Sequence, residues 1–499
     1  MRTRRTWWTL VALAAIVACQ TGGAPQVLSF TADPPDIVAG GSSTLRWLVT
    51  GATTITIAPG VGDVSGTNAT VVSPATTTTY TLTASGAGGS ATEDVTVTVD
   101  TGIDVAGRVL GLDGRPAPSV LVTVLGVGTV PTNFDGSFVL QDVQPPYTLH
   151  VRHPTEPLIV TYVDLTIPDP VLIVSGTPTG APHTASFYGT ISGGTNFPQP
   201  ANHVTRATFA SPATRLTVVA NAATGAFDIV GLPWYGADTP AALHALQWRY
   251  DTNGLPVDYT GHGTRPLTLR STTLAYLAQD MAMLPIGEGT VSGTVTAPPG
   301  YTLTGRTLNV VYPEGGWVMP ASQPNPTPPF SYVTPDVPGV SIAVGGLAVA
   351  AGGELSFAVR ANLPPTAGGV NLLLPEAPEL DAPADGVANV GYPTTFSWIA
   401  PFGRVSVLLI NGPPGALDYA IVTDEASATI PDLREVGLDL APAGAYTWQV
   451  VHLPLYADVD EATAHADGLL SSWPLNAFYF PAQDGAWANS LIRGFTSVP

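Results

Sequence analysis

Two histidines and a glutamate have residue types and a spacing that could hold a zinc ion. His153 and Glu156 are separated by two residues, and His262 follows much later in the chain. Imidazole nitrogens and carboxylate oxygens are ordinary ligands of catalytic zinc. Such a site needs a framework that brings its three ligands together, whereas the surrounding sequence alternates as β-sandwich strands do. We therefore assign no metal here, and we expect His150 and His153 to lie at a strand end, in solvent or partly buried.

The densest group of acidic residues lies near the C-terminus and could hold a hard cation. It consists of Asp458, Asp460, Glu461, His465 and Asp467. Carboxylates are the natural ligands of calcium, but this run lacks the Asp-x-Asp-x-Asp-Gly register followed by a distal glutamate. We favour a solvated acidic loop and keep cation binding as the alternative.

Several aromatic residues in the middle of the chain are candidates for ligand binding, because such rings stack on sugars and peptides. The candidates are Trp234, Tyr235, Tyr259 and Trp317. Trp234 and Tyr235 directly follow Pro233, which predicts a surface loop, with core packing as the alternative. Trp248 lies in an alternating run and is predicted to be a core residue.

No motif for catalysis accompanies these candidates. The sequence contains no Gly-x-Ser-x-Gly elbow, His-Glu-x-x-His helix, phosphate-binding loop or dinucleotide fingerprint. We predict neither catalytic residues nor a cofactor, and we do not expect an enzyme.

The composition indicates a folded, acidic chain of several domains. The chain has 499 residues, of which 45% are hydrophobic, and its mean hydropathy is +0.25. Its 17 basic residues are all arginines and are outnumbered by 37 acidic ones, giving a net charge of -20. Because this charge repels phosphate backbones, nucleic acid is excluded as a partner.

The first residues have the pattern of an export signal that ends at a cysteine. Three arginines precede the uncharged run from Trp7 to Ala18, which is too short to span a bilayer as a helix. The sequence Ile16-Val17-Ala18-Cys19 resembles the lipobox of bacterial lipoproteins, and Cys19 is the sole cysteine. The resemblance implies cleavage after residue 18 and lipidation of Cys19. An ordinary signal peptide that happens to contain a cysteine is the alternative.

The remaining chain is predicted to be all-β. Period-two runs such as Val95-Thr96-Val97-Thr98-Val99 are cut at short intervals by Gly, Pro, Asn and Asp. This predicts a tandem array of β-sandwiches, each relying on its own apolar core because no disulfide is available. The best helical candidates are Thr273 to Met283 and a short stretch from Asp458 to Leu470.

The N-terminal unit resembles a bacterial immunoglobulin-like domain. The resemblance rests on Ala39-Gly40-Gly41-Ser42-Ser43-Thr44-Leu45-x-Trp47 and on Thr79-Tyr80-Thr81-Leu82-Thr83-Ala84. It implies that Trp47 fills the space between two sheets and that Tyr80 ties a loop to its strand.

The next unit resembles the carboxypeptidase regulatory-like domain, a transthyretin-like sandwich that is also grouped with carbohydrate-binding-like folds. The resemblance rests on Val105-Ala106-Gly107-Arg108-Val109, Asp113-Gly114 and Asn133-Phe134-Asp135-Gly136-Ser137-Phe138. It is to the regulatory appendage of zinc carboxypeptidases and not to their catalytic domain. Gly189 and Gly293 echo Gly107, and Phe227 and Phe330 recur in the closing runs, which predicts two weaker repeats.

The C-terminal unit resembles a fibronectin type III sandwich. Its motifs are Pro393-Thr394-Thr395-Phe396-Ser397-Trp398 and Gly444-Ala445-Tyr446-Thr447-Trp448. Trp398 and Trp448 are expected to face each other across the core, and Asp467 to Trp487 is expected to be an irregular insert of the kind that carries function.

These patterns give a complete predicted organisation. The predicted segments are a signal peptide (1–18), a lipidated tether (19–23), an immunoglobulin-like domain (24–100), a regulatory-like domain (101–180), two transthyretin-like repeats (181–285 and 286–374) and a fibronectin-like domain (375–499).

The predicted function is that of a non-catalytic lipoprotein of the cell envelope. An aspartate after the cysteine would resemble the inner-membrane retention signal of enteric-type lipoproteins, so Gln20 favours the outer membrane, on its surface or periplasmic face. The sandwiches would act as a structural, adhesive or ligand-presenting array, with the membrane reached through the lipid and a glycan or envelope protein as partner. Carbohydrate binding by the transthyretin-like repeats is the alternative.

Overall fold

The computed structural model of the chain is all-β, as the sequence predicts. It describes residues 23–38, 40–100, 102–112, 114–174, 183–234, 238–270, 276–400, 405–466, 468–469, 472 and 483–498. Cys19, Tyr235 and Asp467 lie outside the described residues. The chain divides into two compact units, Met1–Gly102 and Ile103–Pro499.

The first unit is a two-sheet sandwich of eight strands. Its strands are β1 (Gln26–Asp33), β2 (Asp36–Val38), β3 (Ser43–Thr50), β4 (Thr54–Ala58), β5 (Gly62–Asp63), β6 (Ala69–Val72), β7 (Thr78–Gly86) and β8 (Gly89–Asp100). One sheet has the order β1-β3-β6 and the other the order β2-β8-β7-β4-β5. Trp47 on β3 and Tyr80 on β7 are both buried in the core between them, as expected for an immunoglobulin-like sandwich.

The second unit begins with two groups of strands. The first group is β9 (Ile103–Val105), β10 (Arg108–Gly111), β11 (Leu121–Val124), β12 (Gly128–Pro131), β13 (Leu140–Val143), β14 (Tyr147–Arg152), β15 (Leu158–Leu165) and β16 (Val171–Val174). The second group is β17 (His183–Gly193), β18 (His203–Ala210), β19 (Leu216–Val219), β20 (Ala226–Trp234), β21 (Thr239–Tyr250), β22 (Pro256–Leu269), β23 (Tyr276–Ala278) and β24 (Met281–Met283).

Two further groups complete the second unit. One is β25 (Gly287–Thr296), β26 (Tyr301–Val311), β27 (Trp317–Pro324), β28 (Pro329–Asp336), β29 (Ser341–Ala350), β30 (Leu355–Leu363) and β31 (Val370–Leu373). The other is β32 (Glu379–Ala382), β33 (Val387–Val390), β34 (Thr395–Ile399), β35 (Ser406–Asn411), β36 (Asp418–Thr423), β37 (Ser427–Thr429), β38 (Ala445–His452), β39 (Gly485–Asn489) and β40 (Arg493–Ser497), with a 3-10 turn at Arg434–Val436 and helix α1 at Val459–Ala464.

The described part of Thr273 to Met283 contradicts the predicted helix there. β23 and β24 both pair in parallel with β17. The run is apolar and short, and periodicity alone does not separate a short buried strand from a helix. The second helical candidate is confirmed in part, because α1 lies inside Asp458 to Leu470.

A 14-stranded sheet joins three distant parts of the second unit. Its main path is β12-β11-β14-β15-β36-β35-β38-β39-β30-β29-β26-β27. β36 pairs in parallel with β15, and β39 pairs antiparallel with β30. Side chains reinforce the second junction, since Asn489 accepts from the Leu355 N–H at 2.8 Å and Asp484 from the Ala361 N–H at 2.8 Å.

The apolar core follows the sheet across the same junctions. One cluster contains Val122 from the first group, Phe357 from β30 and Trp487 from β39, all at most 2% exposed. The expectation that each sandwich relies on a separate core is therefore wrong for this unit. Strand pairing between residues hundreds of positions apart produces the shared core, and local periodicity carries no signal of such pairing.

The three predicted repeats share one close backbone contact. In each, a glycine lies beside a phenylalanine of a neighbouring segment: Gly107 with Phe138, Gly189 with Phe227, and Gly293 with Phe330. A Cβ added at these glycines would lie 2.6, 2.4 and 1.9 Å from the carbonyl oxygens of Pro170, Gln279 and Val370, respectively. Only glycine fits such an approach, so the internal repetition predicted from the sequence has a structural counterpart.

The two tryptophans of the C-terminal group lie as expected. Trp398 on β34 and Trp448 on β38 belong to different sheets and to the same buried cluster. The predicted irregular insert is wrong at its C-terminal end. Trp487 lies within β39, is 2% exposed and stacks against Phe357 with ring centroids 5.9 Å apart.

Candidate functional site

The structure does not bring the zinc-like residues of the sequence together. His262 lies on β22, in the sheet β19-β18-β21-β22, whereas His153 follows β14 of the 14-stranded sheet. Across the described ranges, no group of three or more His, Cys, Asp or Glu could hold a metal ion. The predicted solvent exposure or partial burial of His150 and His153 is wrong, because they are 5% and 1% exposed. His153 directly follows the end of β14, as predicted, whereas His150 lies within that strand.

The acidic group near the C-terminus forms and anchors helix α1. Asp458 accepts from the Glu461 N–H at 2.8 Å as the N-cap, and Glu461 accepts from the Ala457 N–H at 2.6 Å. Asp460 accepts from the Thr166 N–H at 2.8 Å and from its hydroxyl. The predicted loop is therefore wrong, because the segment contains a short helix whose carboxylates bind backbone and side-chain donors. The predicted solvation holds for Asp458, Glu461 and His465, which are exposed.

Trp234 is a core residue, so the surface loop predicted for it is wrong. It is the last residue of β20, is 0% exposed and lies 4.7 Å from the His183 ring, centroid to centroid. Pro233 does not end this strand, because β20 is the edge of its sheet, where a proline removes no ladder hydrogen bond.

Tyr259 is also in the core, contrary to its assignment as a ligand-binding residue. It lies on β22, is 3% exposed and contacts Trp248, with ring centroids 6.3 Å apart. Trp248 is buried, as predicted. Burial raises the pKa of the Tyr259 hydroxyl well above its ordinary value. Neither ring can stack on a ligand from the surface.

Trp317 is the predicted aromatic that does line a groove. The groove has a volume of about 590 Å³ and is lined by Arg206, Arg215, Leu216, Thr217, Trp317, Val318 and Met319. Trp317 begins β27, the last strand of the large sheet, and its carbonyl accepts from the Thr217 hydroxyl at 3.0 Å. This bond connects β27 to β19, the edge strand of the neighbouring sheet. We call this feature the β19–β27 groove.

Two arginines converge on the β19–β27 groove. The Arg215 guanidinium lies over the Trp317 ring, 4.2 Å from its centroid, which fixes the arginine by cation–π attraction. Arg206 projects from β18 opposite Val219 of β19. Burial lowers the pKa of the Arg206 guanidinium, whose Nε is buried with no hydrogen-bond partner among the described residues. The groove therefore offers positive charge in a strongly acidic chain.

A second polar arrangement involves two histidines of the sheet β19-β18-β21-β22 and Glu314, which precedes β27. His244 on β21 is 2.9 Å from Glu314 through Nε2 and 3.3 Å from Nε2 of His262 through Nδ1. Its ring stacks on Tyr312 at 3.9 Å. Because Glu314 is acceptor-only when ionised, we assign the His244 proton to Nε2, and His262 then donates from its own Nε2. Both imidazoles are neutral in this arrangement.

The buried histidines make stability depend on pH. Burial, and then the neighbouring His244, lowers the pKa of His262 to about 4, and burial alone lowers those of His150 and His452 to about 4. Between pH 6.5 and 4 the unfolded chain therefore binds protons that the folded chain does not, so stability falls as the pH falls.

We expect acidification from pH 6.5 to 4.5 to lower the free energy of unfolding, by at most about 1.4 kcal/mol per pH unit for each such histidine. His262→Gln should reduce this slope because it removes one of these groups. Urea unfolding at several pH values measures it. An unchanged slope in His262→Gln would contradict the assigned neutrality of His262.

Sequence reasoning missed Arg206, Arg215, His244 and Glu314. The contact between His244 and His262 could have been predicted from the sequence. β21 and β22 form a hairpin about Asp251 to Leu255, which places these two residues diagonally across the strand pair. The contact between β19 and β27 could not have been predicted in this way, because it joins residues of two different predicted repeats.

Comparisons with known proteins identify no family. No family model matches the chain, and no curated protein matches it. Among solved structures it is similar to the Bacillus anthracis TIE protein, with 9% identity, 69% of this chain and 74% of that chain covered, and a TM-score of 0.16. It is also similar to the fimbrial anchor protein Mfa2 from Porphyromonas gingivalis, with 10% identity, 36% of this chain and 78% of that chain covered, and a TM-score of 0.16. The immunoglobulin domains 1–5 of Sidekick-1 match with 12% identity, 85% of this chain and 95% of that chain covered, and a TM-score of 0.15. Because these TM-scores are low, we base no function on them.

Proposed function

We propose that the chain is a lipid-anchored, non-catalytic protein of the cell envelope that serves as a structural and adhesive scaffold. The observation that carries the proposal is the 14-stranded sheet of the second unit. Sheet and core run without interruption through three parts of the chain, which resists bending and separation better than sandwiches joined by short linkers. A body of this kind suits the presentation of a binding surface.

The polar groups of the second unit support a role without catalysis. In the His262–His244–Glu314 arrangement, the hydrogen bonds of the His262 ring to described residues lead to His244 alone. A catalytic histidine would activate a nucleophile or a substrate proton within hydrogen-bond reach. Here the described bonds connect one imidazole to another and to a carboxylate.

Attachment to the membrane rests on the cysteine of the leader. Cys19 lies four residues before Gly23, the first residue that the structure describes. The described part of the chain contains no helix of the length and apolarity needed to cross a bilayer. A lipid on Cys19 would supply an anchor at the first unit, and Gln20 supports placement in the outer membrane.

We expect native protein from the membrane fraction to have the mass of a chain beginning at Cys19 plus a lipid increment. The Cys19→Ser variant should lose that increment and leave the membrane, because serine does not accept the thioether-linked lipid. Intact-mass analysis of membrane and soluble fractions measures both. An unlipidated wild-type chain in the soluble fraction would contradict the anchor and leave a secreted scaffold.

A further inference from the structure

The charge of the β19–β27 groove points to an anionic occupant. The chain carries 17 basic residues against 37 acidic ones, yet two of its arginines line this one groove. Arg206 makes no ion pair with a described residue, and its Nε is buried without a hydrogen-bond partner among them. Arg206 lines the groove without an ion pair to a described residue, so a carboxylate bound there would pair with the terminal nitrogens of its guanidinium, whereas the buried Nε is out of reach of a ligand.

The backbone beside the arginines is a free strand edge in the described structure. β19 is the terminal strand of its sheet and pairs only with β18. Ala220 N–H donates to Thr205 at 2.9 Å, which makes that residue pair a hydrogen-bonded one. Because such pairs alternate in an antiparallel ladder, the N–H and C=O groups of Thr217 and Val219 point away from β18, towards the open edge.

The side chains at this edge match an extended peptide better than a glycan. Leu216, Val219 and Met319 are 39%, 53% and 36% exposed, so apolar side chains flank the arginines. Arg215 also covers a face of the Trp317 ring on which a sugar would stack. Residues directly opposite each other on paired strands share a face, so a strand added to β19 would place alternate side chains beside Arg215 and Val219.

We propose that the β19–β27 groove binds an extended acidic peptide segment, which pairs with the free edge of β19 and places a carboxylate against Arg206 and Arg215. Main-chain hydrogen bonds to Thr217 and Val219 supply affinity, and the arginines select acidic side chains at alternate positions. The Trp317 ring positions the Arg215 guanidinium by stacking against it. The inference goes beyond the scaffold role and does not depend on the lipid.

The test uses random dodecapeptides displayed on phage and selected on the full-length protein. We expect the selected peptides to carry Asp or Glu at alternate positions. For a synthetic copy of the best peptide, titration calorimetry should show binding weakened roughly tenfold or more by Arg206→Gln together with Arg215→Gln. Arg249→Gln is the matched control, because Arg249 is 48% exposed and pairs with Asp258 outside the groove.

A second pair of variants separates backbone pairing from charge. Val219→Pro removes an N–H that points to the open edge, a position where proline is tolerated, and should weaken the peptide as strongly as the arginine changes. Val219→Thr keeps that N–H and should bind normally, and the thermal unfolding midpoint of both variants confirms folding. The proposal would be overturned if the selected peptides lacked acidic residues. It would also be overturned if neither the double arginine variant nor Val219→Pro weakened peptide binding. Arginine-dependent binding of oligogalacturonate that Val219→Pro leaves unchanged would replace it with an acidic glycan site.

Discussion

Replacing Trp487 with alanine should lower the free energy of unfolding of the second unit by about 3–5 kcal/mol, the range for removing a large aromatic side chain from a core. Trp487 is 2% exposed, and its ring stacks on Phe357 of β30. Its strand β39 is the element that connects β38 to β30 within the large sheet. The cavity would therefore open at the junction between two parts of the chain that lie far apart in sequence.

Denaturant unfolding of the full chain measures this loss. Trp487→Phe is the matched control, because the indole Nε1 has no hydrogen-bond partner among the described residues and phenylalanine removes only volume. The control should cost clearly less than the alanine variant. If Trp487→Ala cost under about 1 kcal/mol, the junction would not contribute to the core as described.

Gly293→Ala should destabilise the second unit by about 3 kcal/mol, near the upper end for overpacking. The new Cβ would lie 1.9 Å from the carbonyl oxygen of Val370 and 2.9 Å from its Cα. Both obstacles are backbone atoms of β31, which pairs in parallel with β25 at this point. They cannot rotate away as a side chain would, so the two strands must separate.

Gly305→Ala is the control for the loss of a strand glycine. Gly305 lies on β26, where a Cβ would meet only Leu347 Cβ, at an ordinary 3.6 Å. This change should be neutral or slightly stabilising, since glycine in a strand carries an entropic cost relative to alanine. Thermal and denaturant unfolding of the two variants measure the difference. Equal stabilities would contradict the close approach of β31 to β25.

Local patterns in the sequence were sufficient for much of the fold. Period-two runs predict an all-β chain, and the recurrence of Gly107, Gly189 and Gly293 predicts repeats that the structure matches with one shared backbone contact. Trp248 is buried as its alternating run predicts, and Trp47 and Trp448 are buried as the immunoglobulin-like and fibronectin-like resemblances imply. The strand signal lies within a few residues of each position, and the repeat signal is the recurrence of a short local motif.

Predictions failed where distant strands or sheet edges decide the outcome. β20 continues through Pro233 to the buried Trp234 because an edge strand tolerates proline, and nothing in the local sequence identifies the edge. The pairing of β15 with β36, and the meeting of β19 with β27, depend on registers between segments far apart in the chain. The Arg206 and Arg215 pair was therefore not foreseeable, although Trp317 was named as a candidate.

Hydrogen exchange measured by mass spectrometry, comparing wild type with Trp487→Ala under native conditions, tests most directly whether the second unit is one continuous scaffold. A shared sheet and core predict that the variant loses protection throughout β14–β15, β29–β30 and β35–β38, by similar free energies. Loss of protection confined to β30, β38 and β39, with β14 and β15 unchanged, would contradict the continuous body and leave a set of independent sandwiches.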